Sequence, residues 1–146
     1  MSMEKSRFHF FFPLRVRYSE VDSQGVVFNA NHVVYYQTAL TEYVRQLEYD
    51  FAQQSPGMDM HTVRVLAEFK GPITFDQEID IYVRAARIGR SSIAYETMIC
   101  PKGGEQVLGT GEITWVNVDR VTGKSAPLSE ELTGRLRALE GASLEG

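Results

Sequence analysis

"RVRYSEVDSQGVVFNANHVVYYQ", Arg15 to Gln37, changes its period partway along. Before the change, Leu14, Val16 and Tyr18 alternate with Arg15 and Arg17, which predicts a first strand with one buried face. After it, Val33, Tyr36, Leu40, Tyr43, Val44, Leu47 and Phe51 recur at three- and four-residue steps. That spacing predicts one long helix with a broad apolar stripe. Asn29 and Asn31 stand where a helix N-cap is expected. Pro56 and Gly57 in "QQSPGMD" end the helix.

Beyond that point the chain reads as strand. Val63, Val65, Ala67 and Phe69 alternate with polar neighbours, and so do Ile79, Ile81, Val83 and Ala85. "RIGRSS" turns into "SIAYETMIC", and "PKGGEQ" turns into "VLGTGEITWVNV". "DRVTGK" closes a last hairpin, and Ser129 caps a short polar helix running to Leu139. Short connections between successive strands imply an antiparallel meander. Only the long helix can cover its apolar face. The expected class is α+β, with one long central helix wrapped by a curved antiparallel sheet of about five strands.

The chain has 146 residues, enough for one domain spanning 1–146. A net charge of −4 argues against a dedicated nucleic-acid binder. Cys100 is the one cysteine, so no intrachain disulfide forms and a reducing compartment is expected. The opening apolar run is short, is broken by His9 and Pro13, and lacks a small-residue cleavage site. No run approaches the roughly 20 apolar residues of a membrane span. These features predict a cytoplasmic protein.

The stretch "YSEVDSQGVVFNANHVVYY", with an aspartate, a following glycine and an apolar step into the helix, resembles the hotdog-fold 4-hydroxybenzoyl-CoA thioesterase-like family. "RIGRSSIAYE" and "DRVTGKSAPLS" add weaker support, and the similarity runs from about Leu14 to Leu136. The chain departs from the commonest members in carrying Asn29, where they have histidine or tyrosine, and "TFDQEI", where a Gly-Asp pair is usual.

The resemblance implies an acyl-CoA thioesterase that needs no cofactor, coenzyme A being part of the substrate, and no metal. It assigns Asp22 as nucleophile or general base and the backbone N–H of Asn29 as oxyanion donor. A helix N-terminus suits the second role, because it presents unpaired amides and roughly half a positive charge. Gly25 permits the turn and a close approach by substrate. Without the resemblance, Asp22 reads first as the cap of a turn or of the helix. Arg84, Arg87 and Arg90 cluster near Ser91 and Ser92, and guanidinium forks match phosphate oxygens. The resemblance favours Arg87, Arg90, Ser91 and Ser92 as coenzyme A contacts; an ordinary solvated turn is the plain alternative. It also implies a homo-oligomer, dimer or homotetramer, because hotdog sheets pair edge to edge. Phe10, Phe11 and Phe12 fit such a contact or a plain buried strand.

Other chemistries find less support. His9, His32 and His61 have no metal-ligand spacing, and no G-x-S-x-G elbow occurs. His32 is close enough to the helix start to touch substrate, or else simply packs. Cys100 reads as a small packed side chain. Glu42, about three turns along the helix, reads as a partner for backbone or arginine. Two alternatives stay open: a hotdog dehydratase or hydratase, which wants a histidine paired with an acid, and a non-catalytic acyl-CoA-binding protein.

Overall fold

The computed structural model describes residues 3–144; the two residues at either end of the expected 1–146 span lie outside the described residues. Five strands form one antiparallel sheet: β1 (Phe10–Arg15), β2 (Met58–Phe69), β3 (Glu78–Ile88), β4 (Ser92–Pro101) and β5 (Gly109–Asp119). The helices are α1 (Asn29–Arg45), α2 (Phe51–Gln54) and α3 (Glu130–Glu140). The sheet curls around α1, the hotdog architecture that the sequence predicts.

Tyr36, Ala39, Leu40 and Tyr43 of α1 are buried against Ile79, Ile81 and Val83 of β3, Tyr95 and Ile99 of β4, and Ile113 of β5. The alternation of β3 continues on the sheet's other face, where Tyr82 joins Phe8, Met98 and Cys100 in a second, smaller cluster. Leu132 and Leu136 of α3 close the first core, and the Ser129 hydroxyl accepts the Leu132 amide as the predicted cap. The Glu140 carboxylate is buried there and accepts from the Tyr43 hydroxyl and from the Ala85 amide. Among the described residues, no helix is long and apolar enough to cross a membrane.

Four local expectations are corrected. The first strand begins at Phe10 and stops at Arg15, and Tyr18 is exposed. Glu20 takes the Arg17 amide and guanidinium, folding Tyr18–Glu20 into a 3-10 turn that pulls the chain off the ladder. The long helix stops at Arg45, because Glu48 adopts a positive φ of 54°. It restarts at Phe51, capped by the Asp50 carboxylate, so the apolar stripe continues across a break. Neither Asn29 nor Asn31 is the N-cap; Phe28 holds that position and has no capping side chain.

The last correction concerns topology. The strand order is β1-β3-β4-β5-β2, so only β3, β4 and β5 form a meander. β2 pairs with β5 and lies at the far edge; the segment after it crosses to β3, three strands away. The two edges differ in kind. β1 carries Pro13, which has no amide to offer a neighbour. β2 is twelve residues long and exposes Val63, at a bulge, and Val65.

Candidate active site

Asp22 sits at the head of a small hairpin that delivers the chain to α1. Phe28 donates its amide to the Glu20 carbonyl, Val21 bridges Val27, and Asp22 donates its amide to the Val26 carbonyl. The turn closes when the Gly25 amide meets the Asp22 carbonyl at 3.0 Å. Gly25 has a φ of 79°, which a side chain would strain. A Cβ there would meet nothing within 4 Å, so conformation rather than crowding calls for glycine. Val26 and Val27 then tie the hairpin's returning arm to Thr74 and Ile73.

The structure gives Asp22 the role of turn cap, since its Oδ1 accepts the Gln24 amide at 2.8 Å. Its Oδ2 has no hydrogen-bond partner among the described residues. Half the carboxylate therefore orients the group and half stays available, so capping and chemistry are compatible in this geometry.

The Asn29 amide opens α1 and meets no acceptor among the described residues. Asn29 lines a cavity of about 330 Å³ together with Val26, Val27, His32, Phe69, Lys70 and Ile73. The walls mix apolar side chains with the polar Asn29, His32 and Lys70. Asp22 itself does not line this cavity; it stands on the neighbouring hairpin. His32 is buried, at 4% exposure, and burial lowers its pKa, so the ring is neutral near pH 7.

Sequence reasoning missed Glu20, which organises the site from behind. Its carboxylate accepts from Arg17 and from the Tyr35 hydroxyl, the latter at 2.9 Å. Its carbonyl accepts the Asn31 side chain as well as the Phe28 amide. Burial alone would raise the Glu20 pKa, but the Arg17 and Tyr35 hydrogen bonds outweigh it and hold the carboxyl below its usual range. The signal was present as Arg17-x-x-Glu20 ahead of a helix.

The arginine turn lies elsewhere. Arg87 and Arg90 are exposed, Ser91 and Ser92 half-buried. Arg90 and Ser91 spend their carbonyls on the Leu128 and Asn117 amides. Ser92 pairs with Val116, whereas the helix-start cavity lies at the Gly109 end of β5. Seven residues separate these points, about 23 Å at roughly 3.3 Å each. One chain does not bring the two groups together. Arg84, by contrast, is fully buried against Glu96 at 2.7 Å and offers nothing to a ligand. Glu42 bonds Arg45, and Cys100 is buried.

A second cavity, about 390 Å³, occupies the same end of the sheet as the arginine turn. It is lined by Val44, Phe51, Met60 and Trp115, with the Asp59–Arg120 ion pair at its edge. It opens beside the start of β2, and the first cavity touches the end of that strand.

Comparison with known proteins identifies the family. A profile of the thioesterase-like superfamily matches residues 16–136. The acyl-CoA thioester hydrolase YbgC of Escherichia coli is 24% identical over 131 residues, covering 88% of this chain and 96% of its own. A Thermus thermophilus thioesterase crystallised with coenzyme A and zinc superposes with a TM-score of 0.80 at 28% identity, covering 94% of this chain and 98% of its own. A Pseudomonas aeruginosa protein superposes at 0.81 with 25% identity, covering 95% and 96%. Matched over most of its length, the chain belongs to the thioesterase-like superfamily, as a thioester hydrolase of the hotdog fold.

Proposed function

We propose that the protein hydrolyses acyl-CoA thioesters, using the Asp22 carboxylate for attack and the Asn29 amide for the oxyanion. The observation that carries this reading is the open amide of Asn29, a residue lining a cavity on the helix start, next to the hairpin that bears a half-free carboxylate. A thioester carbonyl placed there gains a donor from a preorganised helix start. Asp22 then either attacks the carbonyl carbon, expelling the thiolate and leaving an acyl anhydride for water to cleave, or deprotonates an attacking water. Both routes consume one water and yield the free acid and coenzyme A. Neither requires a cofactor beyond the coenzyme A that arrives with the substrate.

The reading extends to an oligomer built on the β2 edge. A long strand exposing Val63 and Val65 invites a second copy, and Pro13 denies the same to β1. Two β2 strands pairing antiparallel set the start of one against the end of the other. The partner subunit's Arg90 and Ser91 share an end of the sheet with its Met60, which pairs with Asn117. Such pairing carries that turn toward the first copy's helix start, supplying Arg87, Arg90, Ser91 and Ser92 for coenzyme A phosphates. It also sets the partner's 390 Å³ cavity beside the thioester, with room for an apolar acyl group.

The hydratase alternative gains nothing, because no acid lines the cavity beside His32 among the described residues. Release of thiol from a panel of acyl-CoAs tests the proposal. Turnover on at least one thioester is expected; tight binding without thiol release on any of them would instead support an acyl-CoA-binding protein.

A further inference from the structure

His32 is an anomaly in this core. Its Nδ1 is sealed from solvent and has no hydrogen-bond partner among the described residues. Buried polar atoms nearly always find partners, so an imidazole kept here with one nitrogen unpaired points to a use for the other. The ring stands edge-on to Phe69, with centroids 4.7 Å apart, and both residues line the helix-start cavity. Helical side chains lean toward the N-terminus, so His32, three residues past Asn29, lays its ring over the first turn.

Behind it stands a second orphan. The Tyr36 hydroxyl, one turn further along α1, is also buried without a hydrogen-bond partner. Both groups crowd the bare Cα of Gly109: a Cβ there would lie 3.1 Å from the Tyr36 hydroxyl and 3.3 Å from His32 Nδ1. Burial keeps the tyrosine protonated, its pKa driven above the usual range, and keeps the imidazole neutral. A neutral imidazole carries one N–H and one lone pair. No acceptor among the described residues stands at the sealed Nδ1, so the proton sits on Nε2, the ring nitrogen that is not sealed from solvent, while the Tyr36 hydroxyl has the buried Thr97 hydroxyl as its neighbour.

We propose that His32 is a second oxyanion donor, its Nε2–H meeting the thioester oxygen beside the Asn29 amide, with the ring held in place against Phe69. The proposal rests on the reading of this cavity as the thioester site. No bond to His32 forms or breaks. The ring contributes a fixed dipole aimed at charge that grows only in the transition state, so its effect falls on kcat rather than KM.

The test uses the full-length protein and its best acyl-CoA. His32→Ala is expected to lower kcat by roughly a hundredfold with KM little changed. His32→Gln, which retains an N–H donor, should recover part of the loss. The direct readout is the carbonyl stretch of a thioester bound to Asp22→Asn, which turns over too slowly to interfere. That band should lie at lower frequency with His32 present than in the Asp22→Asn/His32→Ala protein. Where the alanine variant does not fold, His32→Leu, of similar volume and without a donor, replaces it in both measurements. An unshifted carbonyl band, or kcat within threefold of wild type, overturns the proposal. If wild type releases no thiol from any acyl-CoA, the reading beneath it falls as well. If Asp22→Asn is inactive while His32→Ala runs at full rate, only the role of His32 falls.

Discussion

Asn31 donates its side-chain amide to the Glu20 carbonyl at 2.9 Å, and that one bond fastens the first turn of α1 to the hairpin bearing Asp22. The same carbonyl takes the Phe28 amide, so the entry to the helix and the hairpin bearing Asp22 share one anchor. Asn31→Ala removes half of that anchor. The expected cost is about 1 kcal/mol of stability, together with a fall in kcat as the loop loses its register. Denaturant unfolding and steady-state kinetics check this; an unchanged kcat would show that the Phe28 bond alone sets the geometry.

Glu20 makes the anchor pH-sensitive. Its folded pKa is held low, so its contribution to stability is full above the unfolded value, near 4.3, and is lost as pH falls through the folded value. Glu20→Gln should therefore be less stable than wild type at pH 7, by about 1–3 kcal/mol for a hydrogen-bonded buried carboxylate. Arg17 is largely exposed, which places the effect toward the low end of that range. The gap should narrow as pH drops from about 5 toward 3. Parallel unfolding curves across that window measure it; a constant gap would mean that the carboxylate's charge plays no part.

Asp22→Asn should lower kcat by roughly a hundredfold, about 3 kcal/mol of barrier. The amide oxygen can still accept from Gln24, so the turn and the fold should persist. Asp22→Ala loses both the turn bond and the carboxylate, and comparing the two variants separates structure from chemistry. An asparagine variant keeping more than about a tenth of wild-type turnover would remove Asp22 from the mechanism.

Val63→Lys places a charge on the exposed bulge of β2 without touching the core. Light scattering should show loss of the oligomer, and activity should fall with it. A monomer with full activity would mean that each site is complete within one chain.

Arg87→Ala/Arg90→Ala should raise KM with little change in kcat, because contacts to the nucleotide act equally on ground and transition states. Acyl-pantetheine, which lacks the nucleotide phosphates, should not distinguish the variant from wild type. Equal loss on both substrates would instead make the turn structural. These arginines are exposed, so the KM effect should fade as salt rises and screening tightens to about 8–10 Å.

The periodicity of Val33 through Tyr43 made the central helix legible, because tertiary packing agrees with it at every turn. The break after Arg45 was not legible. Leu47 and Phe51 keep the apolar step while Glu48 quietly leaves helical space. The placement of β2 was hidden for another reason: a short connection favours neighbouring strands, yet the segment after Phe69 spends its bonds on Leu108 and crosses over. In the site, Asp22 and Gly25 were readable from turn chemistry. Glu20 was readable only as a partner for Arg17; its hold on the helix start lies in partners eleven and fifteen residues away.

The single proline of β1 limits how many neighbours the sheet can accept. A sheet with two receptive borders adds copies without end and grows into a ribbon. Here one border is closed at Pro13 and the other is open, so each molecule has a valency of one for this mode of growth. Two copies that join along β2 leave only sealed borders facing outward, and the series terminates there. Any larger assembly must use a different surface, and would assemble and dissociate independently of the first contact.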